Sequence, residues 1–356
     1  MVFKNFAVKN FRCLGQLNLR DLKRLNVIVG RNNTGKTALL EALFFHSAAN
    51  NPTMALNLRM HRGFSGEMEV SKISLTELWR DLFRGFDIAK HIEFESEDAS
   101  GKRRRSVIFV GPQDGQQLTM PAISGSSFQE RSAPLTIEYT DANGKLHVSS
   151  LLMGPDGRPE LQNPSRILDY LGIILPAYRR VSQEEDAERL DKVVTEKRKD
   201  QILKLAQTIE PRLVDLVVGL SAGKPVVMCD VGLPRLAPLP VLGEGTHKLV
   251  SMALAIEAAR AGVVMLDEAE NGLYYDSQKQ FWSKLHKLAV TNDVQLFVTS
   301  HSRECLEALE TSAADDAEFQ ADVKVIRLAK DKGEVYASEY EFAALQASLA
   351  AGFEIR

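Results

Sequence analysis

One segment of this 356-residue chain leaves few folds open to it. Gly30-Arg31-Asn32-Asn33-Thr34-Gly35-Lys36-Thr37 satisfies the pattern G-x-x-x-x-G-K-[ST], which average residue usage would produce in a chain this long roughly one time in a hundred. It follows the wholly apolar Val27-Ile28-Val29, which reads as a strand buried on both faces. It precedes Ala38-Leu39-Leu40-Glu41-Ala42-Leu43-Phe44-Phe45, whose apolar pairs recur at helical spacing. Strand, glycine loop and helix in that order make a seat for phosphate. Successive backbone N–H groups and the helix N-terminus face the anion, and glycine lets the backbone come close. The candidate nucleotide-binding residues are therefore Gly30, Arg31, Asn32, Asn33, Thr34, Gly35, Lys36, Thr37 and Ala38, with Lys36 on the β and γ oxygens and Thr37 ligating Mg²⁺.

Far downstream, Val263-Val264-Met265-Leu266-Asp267-Glu268 ends four apolar residues in two acids, which places both carboxylates at the C-terminal edge of a buried parallel strand. Asp267 is expected to hold the Mg²⁺ shell through water, and Glu268 to position or polarise the water that attacks the γ-phosphate. The next apolar strand, Gln295-Leu296-Phe297-Val298-Thr299, delivers Ser300-His301-Ser302 to the same edge, where His301 is placed to hydrogen-bond the γ-phosphate. Glu268, His301 and Lys36 are the catalytic candidates, and Thr37 and Asp267 the metal candidates.

The rest of the chain reads as follows. Phe6–Val8 and Leu17–Leu19 are strand-like. Ser74 and Glu77 form a capping box that opens a short amphipathic helix through Trp79 and Phe83. Leu135–Tyr139 and Lys145–Val148 alternate around Asn143-Gly144, a hairpin signal. Residues 183–220 are charged and read as helical, with too short an apolar stripe for a long coiled-coil arm. From Val241 onward helices Lys248–Arg260, Ser277–Ala289 and Arg303–Leu309 alternate with strands Val263–Leu266, Gln295–Thr299 and Val323–Leu328, which implies a mainly parallel sheet with helices on both faces. The expected units are 1–65, the N-terminal part of the core with the phosphate loop; 66–165, an inserted helix and antiparallel β subdomain; 166–260, a helical lobe; and 261–356, the C-terminal part of the core.

Composition narrows the function classes. A formal net charge of −3 excludes a basic protein that coats nucleic acid, although the run Lys102-Arg103-Arg104-Arg105 reads either as a solvated hairpin end or as a phosphate contact. Cys13, Cys229 and Cys305 lack C-x-x-C spacing, which argues against a disulfide framework or a structural zinc site and favours a reducing cytoplasm. Neither a signal-peptide core nor a membrane-length apolar run is present in the sequence.

Together the phosphate loop, Val241-Leu242-Gly243-Glu244-Gly245-Thr246-His247-Lys248-Leu249, Leu266-Asp267-Glu268-Ala269-Glu270-Asn271-Gly272-Leu273-Tyr274 and Thr299-Ser300-His301-Ser302 resemble the ABC-type ATPase heads of the SMC and recombination-repair class, RecF among them. Within that class the chain resembles most the stand-alone AAA ATPases allied to the overcoming-lysogenization-defect (OLD) nucleases, and the likeness extends to Val8-Lys9-Asn10-Phe11-Arg12 and to Gly352–Arg356. The resemblance implies a P-loop NTPase of the α/β class whose Gly243, Glu244 and Gly245 stand where transporters carry L-S-G-G-Q and complete a partner's ATP site. It puts Glu270–Leu273 in the loop that runs along such a dimer interface, makes Gln183 a weak candidate for the family's Q-loop glutamine, and leaves Arg12 either on nucleotide or in a surface salt bridge. No TOPRIM-like nuclease segment is recognisable after Leu328, so any nuclease is expected to be another chain. The leading expectation is an ATP-hydrolysing homodimeric switch, with cofactors ATP and Mg²⁺, that controls a separate nuclease or toxin in anti-phage defence. The alternative is a DNA-binding ATPase of recombination or repair, with the β insert and Lys102–Arg105 as its contact. The energy-coupling subunit of a membrane transporter is disfavoured, because it predicts L-S-G-G-Q and no large insert.

Overall fold

The computed structural model of the chain describes residues 1–62, 78–111, 133–153, 158–163, 167, 169–177 and 182–352. In chain order these form strands β1 (Asn5–Phe11), β2 (Leu14–Leu19) and β3 (Leu25–Val29), helices α1 (Lys36–Ser47) and α2 (Met54–His61), and strands β4 (Ile92–Glu97), β5 (Arg103–Val110), β6 (Leu135–Thr140), β7 (Leu146–Met153), β8 (Pro159–Gln162) and β9 (Gly172–Leu175). Helices α3 (Gln183–Thr195) and α4 (Lys199–Ala206), strands β10 (Asp215–Ser221), β11 (Lys224–Asp230) and β12 (Ala237–Pro238), and helix α5 (Glu244–Ala258) follow. The chain continues through β13 (Val263–Leu266), α6 (Tyr275–Thr291), β14 (Gln295–Ser300), α7 (Arg303–Ala313), α8 (Ala317–Ala321), β15 (Val323–Asp331), β16 (Glu334–Glu341) and α9 (Phe342–Ala350).

The central sheet has the order β16-β15-β3-β14-β13-β9. All of its pairings are parallel except β15 with β16. The apolar runs of β3 and β13 and the whole of β14 are buried end to end, as strands covered on both faces must be. Their two-residue period sorts side chains between two cores. Val27, Val29, Val264, Leu266, Leu296 and Val298 face the core lined by α5, α6 and α7. Ile28, Val263, Met265 and Phe297 face the other, with Leu39, Leu43 and Phe45 of α1. The expected α/β architecture with a mainly parallel sheet is thus present.

Helix α1 is buried almost all round because it lies between this sheet and a second, antiparallel one of order β2-β1-β4-β5-β6-β7-β8. The antiparallel sheet is therefore not confined to the segment behind the first helix: β1 and β2 belong to it. The buried His46 of α1 bonds Ser106 Oγ through Nδ1 and Ser96 Oγ through Nε2, each at 2.8 Å, and so ties the helix to β4 and β5. At the expected hairpin, Thr140 pairs with Leu146, and Gly144 alone adopts a left-handed φ of 79°. The turn is thus closed by the glycine rather than by a left-handed Asn-Gly pair.

Several expectations need correction. Residues 183–220 are helical only through Ala206, and 215–221 form β10. The three-stranded sheet β10-β11-β12 therefore stands inside the expected helical lobe. A two-residue turn, Ala222 (φ 50°) and Gly223 (φ 79°), pairs Ser221 with Lys224. Once that hairpin is closed, β-branched Val217 and Val218 find partners across the strand. The helix expected through Phe83 gives way to short 3₁₀ turns at Arg80–Leu82 and Arg84–Phe86, with Phe83 extended and bridged to Phe11. Its capping box, Ser74 and Glu77, lies outside the described residues, as do Phe353–Arg356. Among the described residues no helix is long and apolar enough to cross a membrane.

Candidate active site

The phosphate loop joins β3 to α1, and its backbone explains its sequence. Gly30 has a φ of 149°, and a Cβ there would lie 2.4 Å from the Leu328 carbonyl oxygen, so only glycine passes. Asn33 (φ 62°) and Gly35 (φ 97°) are also left-handed. Gly35 caps α1 without a side-chain hydrogen bond, which leaves the first amides of the helix for an anion. Arg31, Asn32 and Asn33 are exposed, Ala38 is buried, and Thr34 Oγ1 closes the loop by donating to the Arg31 carbonyl at 2.8 Å. Lys36 is buried, and its Nζ donates to the carbonyls of Gly30 at 2.7 Å and Arg31 at 3.1 Å. Burial pushes its pKa below the ordinary lysine value, while the nearby Asp267, Glu268 and Glu270 carboxylates oppose that shift.

Asp267 meets this loop across 230 residues of sequence: Thr37 Oγ1 donates to its Oδ2 at 3.1 Å. Its other oxygen accepts from Thr299 Oγ1 at 2.5 Å, and the same hydroxyl accepts the Glu268 N–H at 2.8 Å. Two hard oxygen donors at this separation fit a small divalent cation, since adjacent oxygens around Mg²⁺ at its usual bond length lie about 3 Å apart. Thr37 and Asp267 would hold such an ion. Glu268 is left-handed (φ 49°), its Oε2 accepts from Asn271 Nδ2 at 2.5 Å, and its backbone carbonyl accepts from Lys248 Nζ. His301, half-exposed, places Nδ1 3.8 Å from Glu268 Oε1 and 3.6 Å from Glu270 Oε1. Buried Glu270 in turn accepts from Ser300 Oγ at 2.7 Å and from the His301 N–H at 3.1 Å. Lys36, Thr37, Asp267, Glu268 and His301 therefore converge at the C-terminal edge of the central sheet. Lys248, Glu270, Asn271 and the Thr299 hydroxyl join them as side chains not among the catalytic or metal candidates; all four lie in the stretches that carried the family resemblance, but their contacts with the acids are seen only in the structure.

Gly243, Glu244 and Gly245 lie elsewhere in the chain's contacts. The helix they open, α5, starts at Glu244 rather than at Lys248, with Gly243 (φ 107°) as its N-cap. Gly245 sits on the turn after β13, where a Cβ would lie 2.4 Å from the Gly272 carbonyl oxygen and 3.2 Å from Ile209. Residues 30 and 35, by contrast, pack on Leu328, Leu14 and Cys13. Arg12 is not in a surface salt bridge: its Nε pairs with Glu41 Oε2 of α1 at 2.9 Å, and both side chains are buried. Gln183 is exposed at the start of α3. In the basic run, Arg103 pairs with Glu97 at 3.1 Å, Arg104 with Asp98 at 3.1 Å and Asp169 at 2.8 Å, and Arg105 with Glu93 at 2.6 Å.

Residues 25–307 match the family described as "AAA domain, putative AbiEii toxin, Type IV TA system". Over 359 aligned positions the chain is 20% identical to an ATP/GTP phosphatase of Helicobacter pylori, covering 93% of each. Over 67 residues, 18% of each chain, it is 36% identical to the DNA replication and repair protein RecF of Bacteroides fragilis. Among solved structures it aligns with the SMC head domain from Thermotoga maritima at 13% identity and a TM-score of 0.42, covering 96% of this chain and all of that one. It also aligns with an SMC head bound to the C-winged helix domain of ScpA at 11% identity and a TM-score of 0.48, covering 98% of this chain and all of that one.

Proposed function

Since the chain belongs to the AAA-type ATPase family described as "AAA domain, putative AbiEii toxin, Type IV TA system", we propose that it is a Mg²⁺-dependent ATP phosphohydrolase that works as a switch. The observation that carries the reading is the 3.1 Å bond between Thr37 and Asp267, which joins the phosphate loop to the acid pair. Lys36 and the amides from Gly30 to Ala38 bind and orient the β and γ phosphates. Thr37 and Asp267 would hold Mg²⁺, which would supply charge for the developing phosphate oxygens. Glu268 accepts the proton of the attacking water, and His301 donates to the γ-phosphate.

Gly243, Glu244 and Gly245 at the start of α5, the first two exposed and Gly245 buried, face the nucleotide of a second copy, so that two chains enclose two ATP molecules and separate on hydrolysis. The output of a site that spends nucleotide on a change of shape is control of a partner. That partner is a nuclease or toxin of anti-phage defence on a separate chain; what supports the toxin setting is the family description, which names a putative toxin of a type IV TA system. The basic run does not favour DNA binding, since each of its arginines pairs with a nearby carboxylate.

The test is ATP hydrolysis by the purified chain with and without Mg²⁺. Turnover that needs the metal and is lost in both Lys36→Ala and Glu268→Gln supports the reading. Turnover unaffected by Glu268→Gln removes the assigned base.

A further inference from the structure

The acid end of the site contains a cation that the hydrolysis scheme leaves without a task. Lys248 lies in α5, past the first turn of the helix that residues 243–245 open, and its ammonium donates to the backbone carbonyl of Glu268. Burial pushes its pKa down, while Glu270, Glu268, Glu244 and Asp267 pull it back up, so the charge stands among four carboxylates. Glu268 is left-handed (φ 49°), a conformation that a residue with a Cβ keeps only where its surroundings hold it.

Four hydrogen bonds hold it. Its N–H donates to Thr299 Oγ1 at 2.8 Å, its carboxylate accepts from Asn271 Nδ2 at 2.5 Å, and its carbonyl accepts from the Asn271 N–H at 3.1 Å and from Lys248. Thr299 stands on the neighbouring strand and Asn271 in the same turn. Lys248 alone comes from the helix that carries Gly243, Glu244 and Gly245. The backbone contact of Gly245 with Gly272 gives α5 a second grip on the same turn.

We propose that Lys248 is a positioning residue that ties the aim of Glu268 to the place of α5 within the same chain. Displacement of residues 243–245 then reaches the Glu268 peptide through the Lys248 side chain. This inference rests on the ATPase reading above and adds to it the route by which engagement of the α5 end controls hydrolysis.

The experiment compares wild type, Lys248→Ala and Lys248→Arg at saturating Mg-ATP, with nucleotide Kd from a fluorescent ATP analogue and thermal melting of each protein. Lys248→Ala should lower kcat about tenfold or more while Kd stays within about twofold, because a misaimed base costs rate and not ground-state binding. Lys248→Arg, which keeps a donor, should regain most of the rate at an unchanged melting temperature. An Ala variant with kcat within about twofold of wild type overturns the proposal, as does a loss shared equally by both variants together with lowered melting. Wild-type turnover no greater than that of Lys36→Ala overturns the ATPase reading and this inference with it, and that failure is visible before either Lys248 variant is measured.

Discussion

Lys36 feels the charge of three carboxylates and donates to two carbonyls of its own loop, the loop proposed to bind the phosphates. Removing a charged hydrogen-bond donor costs roughly 1.5–3 kcal/mol, so Lys36→Ala should weaken ATP binding by about ten- to a hundredfold in titration calorimetry. Glu268→Gln keeps the shape and removes the base. Its kcat should fall by roughly a hundred- to ten-thousandfold, while its affinity for ATP remains. Lys36, Thr37 and Asp267 are legible in the sequence because motif spacing and an apolar strand ending in acids each point to one edge of a sheet. The partners of those acids are not. Thr299 lies 31 residues from Glu268 and Lys248 lies 20 from it, and which donor reaches a carboxylate or a carbonyl is decided by packing, not by local pattern.

Helix α5 is held against the turn after β13 by backbone contact, with no space for a side chain between Gly245 and Gly272. Gly245→Ala forces these elements apart and should cost roughly 1–3 kcal/mol of stability, read from urea unfolding. The same mutation at exposed Gly144, where nothing lies within 4 Å of the added Cβ, carries only the strain of its left-handed backbone. Among the strands, β3, β13 and β14 are legible as apolar runs, and the β6–β7 hairpin from Asn143-Gly144. The hairpins β10–β11 and β15–β16 turn on Ala222-Gly223 and Lys332-Gly333. Alanine and lysine carry no preference for the left-handed region, so those turns hold only a weak local signal. That β1 and β2 join the antiparallel sheet depends on pairing with β4, more than 80 residues away in places, and no local feature announces it.

At the scale of the whole molecule, α1 joins the two sheets: its first turn holds the phosphate loop, and His46 near its end holds β4 and β5. Burial pushes the pKa of His46 down from 6.5 to about 3, with Arg104 adding to the shift. Between those values the unfolded chain binds a proton that the folded chain does not. The contribution of neutral His46 is therefore complete above about pH 6.5 and is lost as the pH falls toward 3. Unfolding free energy should drop by roughly 1.4 kcal/mol per pH unit in that window on account of this residue, and His46→Gln should flatten the slope. Two copies are proposed to share each site: Gly243 and Glu244 are exposed at the start of α5, with Gly245 buried behind them, and this end of the helix is proposed to meet the nucleotide of a second chain. The direct measurement is the mass in solution of the Glu268→Gln protein by light scattering, with and without Mg-ATP. A shift from one chain to two on adding Mg-ATP is the predicted result; a mass that stays at one chain contradicts the shared site.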